Sequence, residues 1–197
     1  MPEDPSNGYE AVAEEFMAVR SKTSGLAVVQ KWAASLPPAS SVVDVGAGYG
    51  EPLTSVLVDE GLAVSAIDAA PTMVAEFRRR FPGLEVACEP AERSRFFNRK
   101  FDAVMAIGLI FLMPEDKQRE LIRRISGALK NGGRLLFSAP WQVGTWKDVL
   151  TGKASWSLGT EEYGRVLAHS GFRLIDEHDE PAHQGGTHYY EAQKGSV

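Results

Sequence analysis

The chain of 197 residues has a single cysteine, Cys88, so no disulfide forms within it and a reducing compartment suits it. It also has no basic excess: 21 lysines and arginines stand against 26 acids, a formal net charge of −5. Proteins that track a nucleic-acid backbone carry a surplus or a stripe of cations, so nucleic acid is not expected as a partner. The arginine clusters Arg78-Arg79-Arg80 and Arg123-Arg124 fall near the ends of expected helices, where cations complement the helix dipole. Long apolar runs are missing too. The longest, Val104 to Met113, covers 10 residues, half of the roughly 20 that a helix needs to cross a bilayer. The opening Met1-Pro2-Glu3-Asp4 lacks the charged start and apolar middle of a signal peptide. Together these absences lead to the expectation of a soluble, cytoplasmic protein with no membrane partner. Histidines number only 4. His178, His183 and His188 recur every 5 residues beside Asp176 and Asp179, a spacing that matches neither a helix face nor a strand face. No metal site is therefore expected.

What the chain does have is alternation. Short apolar runs at 41–45, 62–67, 84–88, 101–107 and 134–139 are separated by helical patterns that open at Glu51, Pro71 and Pro114. Such alternation specifies a parallel sheet with helices on both faces. The helix from Pro114 is expected to stop at Asn131-Gly132-Gly133, with a strand starting at Arg134. Residues 140–159 show no clear period, Thr160 is expected to cap a helix to His169, and two strands, 172–177 and 187–193, follow. Two short helices, 9–20 and 25–34, precede Pro37-Pro38. One domain accounts for the length, with residues 1–38 as a helical cap on a body of 39–197.

The most informative stretch is VVDVGAGYGEP, residues 42–52. A strand runs into a glycine turn and then a helix, the arrangement that holds a dinucleotide pyrophosphate elsewhere. Here the glycines are Gly46, Gly48 and Gly50, the third position of the dinucleotide fingerprint is Glu51, and Asp44 precedes the turn. Two carboxylates would repel a pyrophosphate, so the turn suits a ligand with a cation at that point. Asp68 ends the next strand, 18 residues after Gly50, where such folds place an acid on ribose hydroxyls. A ribose plus a cation describes S-adenosylmethionine, which has an α-ammonium and a sulfonium. Asp68 and Glu51 also suit the first turn of their helices. Asp44, inside an apolar strand, is harder to explain without a partner.

These motifs resemble the class I S-adenosylmethionine-dependent methyltransferases over about residues 40–140, more loosely elsewhere. The resemblance implies a Rossmann-like three-layer α/β sandwich with a mostly parallel seven-stranded sheet whose last strand is antiparallel. VVDVGAGYG looks like the first family motif, implying that Asp44 holds the methionine ammonium while Gly46, Ala47 and Gly48 admit the cofactor to the backbone. SAIDAAPTM resembles the second, implying Asp68, with Ala69, on the ribose. FDAVMAIGLIFL resembles the segment beneath the cofactor, implying Ala106, Ile107 and Gly108 as site walls. CEPAERSRFF is an imperfect match to the adenine-binding acid: Glu89 or Glu92 is available, and Ala91 with Glu92 is the better-aligned pair. LKNGGRLLFSAP has Asn131 where the family commonly has proline.

The implied activity is methyl transfer from S-adenosylmethionine to a small molecule. An Asn-Pro-Pro-Tyr turn after the fourth strand, which serves amino-group methylation of bases or glutamine, is absent from Ala106-Ile107-Gly108-Leu109. Candidate walls of the acceptor pocket are Tyr9, Phe16 and Arg20 from the N-terminal segment, Trp141 and Trp146, and Tyr190. The tryptophans equally suit the packing of an insertion onto the domain. His188 shares a strand face with Tyr190, and would serve as a base only if that face met the pocket; packing within the sheet is the other reading. Two alternatives remain open from the sequence: a non-catalytic S-adenosylmethionine-binding protein and an NAD(P)-dependent oxidoreductase. The acceptor atom and the oligomeric state are not encoded in any motif.

Overall fold

The computed structural model describes residues 4–180 and 187–195. His183, one of the histidines considered above, lies outside the described residues. Strand β1 (Ser41–Val45) is a run whose Val42, Val43 and Val45 are fully buried, as befits a strand covered on both faces. The chain continues through α3 (Leu53–Asp59), β2 (Ala63–Asp68), α4 (Pro71–Arg80) and β3 (Glu85–Cys88). It then crosses to β4 (Phe101–Ala106), α5 (Glu115–Ala128) and β5 (Leu129–Ser138). Two N-terminal helices, α1 (Ala13–Val19) and α2 (Leu26–Ala34), come first. A hairpin of β6 (Gly144–Lys147) and β7 (Ala154–Ser157), then α6 (Thr160–His169), β8 (Phe172–Asp179) and β9 (His188–Lys194), complete the chain.

Seven strands form one sheet in the order β3-β2-β1-β4-β5-β9-β8. All neighbours are parallel up to β5; β9 runs antiparallel to both β5 and β8, so the last strand is the reversed one and lies next to the edge. Strand order turns back between β1 and β4, and a doubly wound sheet has its ligand crevice at such a switch point, beyond the carboxyl ends of the strands. One face of the sheet buries Leu121, Ile122 and Ile125 of α5 and Tyr163 and Leu167 of α6. The other buries Val29, Trp32 and Ala33 of α2 and Val56 and Leu57 of α3. Thus α2, read from sequence as part of a cap, packs into the core beside the sheet.

Two local expectations are corrected. Asn131-Gly132-Gly133 do not separate helix from strand: β5 begins at Leu129, directly after α5. Pairing passes from Phe101↔Leu129 to Ala103↔Arg134, so five residues of β5 stand against two of β4. The extra residues bulge out where Gly132 takes φ +75°, a conformation that glycine adopts without cost. Residues 140–159 hold the β6–β7 hairpin, whose strands are four residues each and lie partly exposed, too short to show a period.

Candidate active site

A cavity of about 800 Å³ opens at the switch point. Its floor is the turn after β1. Gly46 and Ala47 donate their N–H groups to the Ile67 carbonyl at 2.8 and 3.1 Å, which joins the turn to the end of β2. All three glycines of the turn have positive φ, +75°, +57° and +88°. They differ in what surrounds them. A Cβ on Gly50 would lie 2.3 Å from the Phe81 ring, and one on Gly46 would lie 2.9 Å from the Leu109 side chain, whereas one on Gly48 would meet nothing within 4 Å. The first two glycines are required by protein packing; Gly48 faces open cavity.

Asp44 is buried at 3% exposure on β1 and lines this cavity. The Thr54 hydroxyl, one helix away on α3, donates to its Oδ2 at 2.6 Å. Burial pushes the Asp44 carboxyl up to about 7; the Thr54 hydrogen bond opposes the rise and the charge of Asp68 adds to it. Asp68, at the end of β2, accepts from the Gly48 N–H at 2.7 Å and from the Ala70 N–H at 2.8 Å. Its carboxyl is also raised, by burial first, with the Ala70, Gly48 and Ala69 N–H groups holding the rise down. Beside these acids the cavity is walled by Ala47, Ala69, Ile107, Gly108 and Glu92. Ser138 at the end of β5 accepts from the Gly108 N–H at 2.8 Å, tying the fourth and fifth strand ends together.

The N-terminal segment covers one side. Tyr9, Phe16 and Arg20 all line the cavity. The segment is tied down at two points: Glu10 accepts from the Thr72 N–H and hydroxyl at 3.0 and 2.7 Å, and the Tyr9 hydroxyl donates to Asp148 at 3.0 Å. Phe16 packs edge-on to Tyr9 and to Tyr49 of the glycine turn. Tyr49, not singled out from sequence, therefore links turn and cover, and Arg80 lies over its ring at 5.0 Å.

Several expected site residues lie elsewhere. Ala91 is 5% exposed and Ala106 fully buried, both within the core on the α5 side, so Glu92 and Ile107 reach the cavity while Ala91 and Ala106 do not. Trp141 is 58% exposed and apart from the cavity. Trp146 does not line it either, but packs at 5.8 Å on Phe111, which does. Tyr190 is fully buried, stacked on Phe137 at 4.8 Å with its hydroxyl 2.9 Å from that of Thr160. His188 shares that face, its Nδ1 2.7 Å from Asp179 and its Nε2 3.3 Å from Glu177. Alternation along β9 puts Tyr189 on the opposite face, and Tyr189 is the tyrosine that lines the cavity. Its hydroxyl donates to Glu180 at 3.3 Å, and Glu180 also accepts from the Ser24 hydroxyl and the Gly25 N–H. Tyr189 is pushed up to about 12 by burial and by the charge of Glu180. Away from the cavity, Asp176, His178 and Glu191 approach one another, but Glu191 is already ion-paired with Arg134. Among the described residues no helix is long and apolar enough to cross a membrane.

Comparison with known proteins agrees with this geometry. Residues 42–133 match the model of a family described as a methyltransferase domain. A demethylmenaquinone methyltransferase of Beutenbergia cavernae is 35% identical over 107 residues, which are 52% of this chain and 43% of the relative. The chain thus spans less than half the length of that relative. Among solved structures, an S-adenosylmethionine-dependent methyltransferase from Clostridium acetobutylicum superposes with a TM-score of 0.70 at 16% identity, over 96% of this chain and 99% of the other. The 1,6-didemethyltoxoflavin-N1-methyltransferase of Burkholderia thailandensis, solved with its substrate and S-adenosylhomocysteine, superposes at 0.68 with 21% identity, over 100% and 93%. Residues 42–133 are thus similar to a methyltransferase domain, and the fold is the one seen in these solved S-adenosylmethionine-dependent methyltransferases.

Proposed function

We propose that this chain transfers a methyl group from S-adenosylmethionine to a small-molecule acceptor. The observation that carries the reading is the pair of carboxylates, Asp44 and Asp68, on either side of a glycine turn in one cavity wall. The donor set fits the cofactor. Each Asp68 oxygen accepts one backbone N–H, and a carboxylate oxygen accepts more than one hydrogen bond, which leaves capacity for ribose hydroxyls. Asp44 accepts on Oδ2 alone among the described residues, and an ammonium group beside it would compensate a buried charge. Gly48 leaves room for close approach of a ligand to the backbone. Glu92 is suited to the adenine end. A dinucleotide pyrophosphate would have to sit against the turn beside Asp44, with Glu51 in place of the third fingerprint glycine, which disfavours an oxidoreductase.

Bound there, S-adenosylmethionine supplies a methyl group already activated on a sulfonium. This chain's residues then have to hold the acceptor in line and keep water out, and orientation can supply most of the rate. Residues 4–20, pinned through Glu10 and Tyr9, are placed to act as that cover. A small acceptor is supported by the aromatic and apolar walls Phe16, Phe111 and Tyr189 and by the substrate of the structurally similar Burkholderia protein. The distinguishing experiment against a binding-only protein is turnover: the protein is incubated with methyl-labelled S-adenosylmethionine and a fractionated small-molecule extract. Label is expected in a low-mass product; label that stays on the donor with every fraction favours the non-catalytic reading.

A further inference from the structure

Resting on that reading of the cavity, we propose that the acceptor is a planar, largely apolar molecule carrying one oxyanion group, a carboxylate or a phosphate, which Arg20 holds. Three basic side chains line the cavity: Arg20, Arg93 and Lys117. Lys117 is taken by Glu120 at 2.9 Å, and Arg93 is exposed beside Glu92, at the end assigned to the adenine. Arg20 stands at the end of α1, half-buried, its guanidinium 5.9 Å from the centre of the Phe16 ring. Among the described residues it forms no ion pair.

Acids around the cover have other partners, and Glu51 of the cavity lies 3.9 Å from Arg80. Asp4 accepts from the Ser6 and Gly8 N–H groups, Glu10 from Thr72, Asp148 from Tyr9, and Glu180 from Ser24 and Gly25. The positive charge of Arg20 acts on the hydroxyls of Tyr9 and Tyr49, which places it among the aromatic rings of the cover. An arginine fork pairs with carboxylate or phosphate through two parallel hydrogen bonds. The adjoining walls are apolar and aromatic: Phe16, Leu53, Ile107, Phe111 and Tyr189. A flat body against these walls with its anion at Arg20 matches both features. His188, on the far face of the sheet, has no part in it.

The test uses the whole protein saturated with S-adenosylhomocysteine, titrated calorimetrically with 4-hydroxybenzoate, phenyl phosphate and the neutral 4-hydroxybenzamide. At least one of the two anions is expected to bind about fivefold or more tighter than the amide, and which one does so separates carboxylate from phosphate recognition. Arg20→Gln should abolish that preference while S-adenosylhomocysteine affinity stays within about twofold. Arg165→Gln, which removes an equal charge from the exposed face of α6, should leave the preference intact. The inference is overturned if the wild-type protein shows no preference for an anion, if it binds neither anion, or if Arg20→Gln keeps the preference. Failure of the protein to bind S-adenosylhomocysteine at all would overturn the underlying function as well, which distinguishes the two failures.

Discussion

Replacing Asp68 by alanine is expected to weaken S-adenosylhomocysteine binding well over tenfold. Two ribose hydroxyls would lose a charged acceptor, and hydrogen bonds to charged groups are worth about 1.5 to 3 kcal/mol each. The same change frees the Gly48 and Ala70 N–H groups that now hold the turn and the start of α4 to β2. Asp68→Asn separates the two contributions, since the amide oxygen can still accept one of these N–H bonds while the charge is gone. Calorimetric titration of both variants, with unfolding curves as a check on folding, gives the answer. Unchanged affinity in Asp68→Ala would remove this residue from the binding site.

The second large effect is a pH dependence centred on Asp44. Its carboxyl titrates near 7 in the folded chain against an ordinary value of 3.8, because burial opposes its charge. The folded state therefore holds a proton that the unfolded state has released, and stability of the ligand-free protein falls as pH rises from about 4 towards 7. A ligand with an ammonium group beside Asp44 has the opposite preference. It binds the ionised form, so affinity for S-adenosylhomocysteine should rise by more than about tenfold between pH 5.5 and pH 8 and level off above. Asp44→Asn should bind weakly at both pH values, with the slope abolished. A wild-type affinity flat across this window would mean that Asp44 does not face the ammonium. Thr54 belongs to the same effect, since its hydroxyl is the one hydrogen bond that opposes the raised value.

What could be read from the chain and what could not divides along a physical line. The strand, glycine turn and helix at 41–59, with Asp44 and Asp68, were legible because their geometry is local: the backbone demand of the glycines and the strand-end position of each acid lie within a short span. The parallel part of the sheet followed from the same local patterns, whereas the reversed last strand was implied by the family resemblance alone. Side-chain direction at the far end of the chain was not legible. Tyr189 and Tyr190 are adjacent, and only the register of β9 against β5 decides which one faces the cavity. Trp141 and Trp146 suited either the pocket wall or the packing of an insertion, and the fold decides: Trp141 is exposed and Trp146 packs on Phe111, which lines the cavity. Glu180, which anchors Ser24 and Gly25 from 155 residues away, had no local signal at all. Neither had Tyr49, whose importance comes from contact with Phe16 and Arg80 across the fold. The division of 1–38 into a cover and a core helix likewise depends on tertiary packing, because Val29, Trp32 and Ala33 are apolar enough for either role.

The central claim is that Asp44, beside a glycine turn that has Glu51 in place of the third fingerprint glycine, selects a methyl donor over a dinucleotide. Side-by-side calorimetric titration of the purified protein with S-adenosylhomocysteine and with NAD tests it most directly. One equivalent of S-adenosylhomocysteine is expected to bind, with no heat from NAD at the same concentrations. Binding of NAD, or of neither compound, would contradict the account.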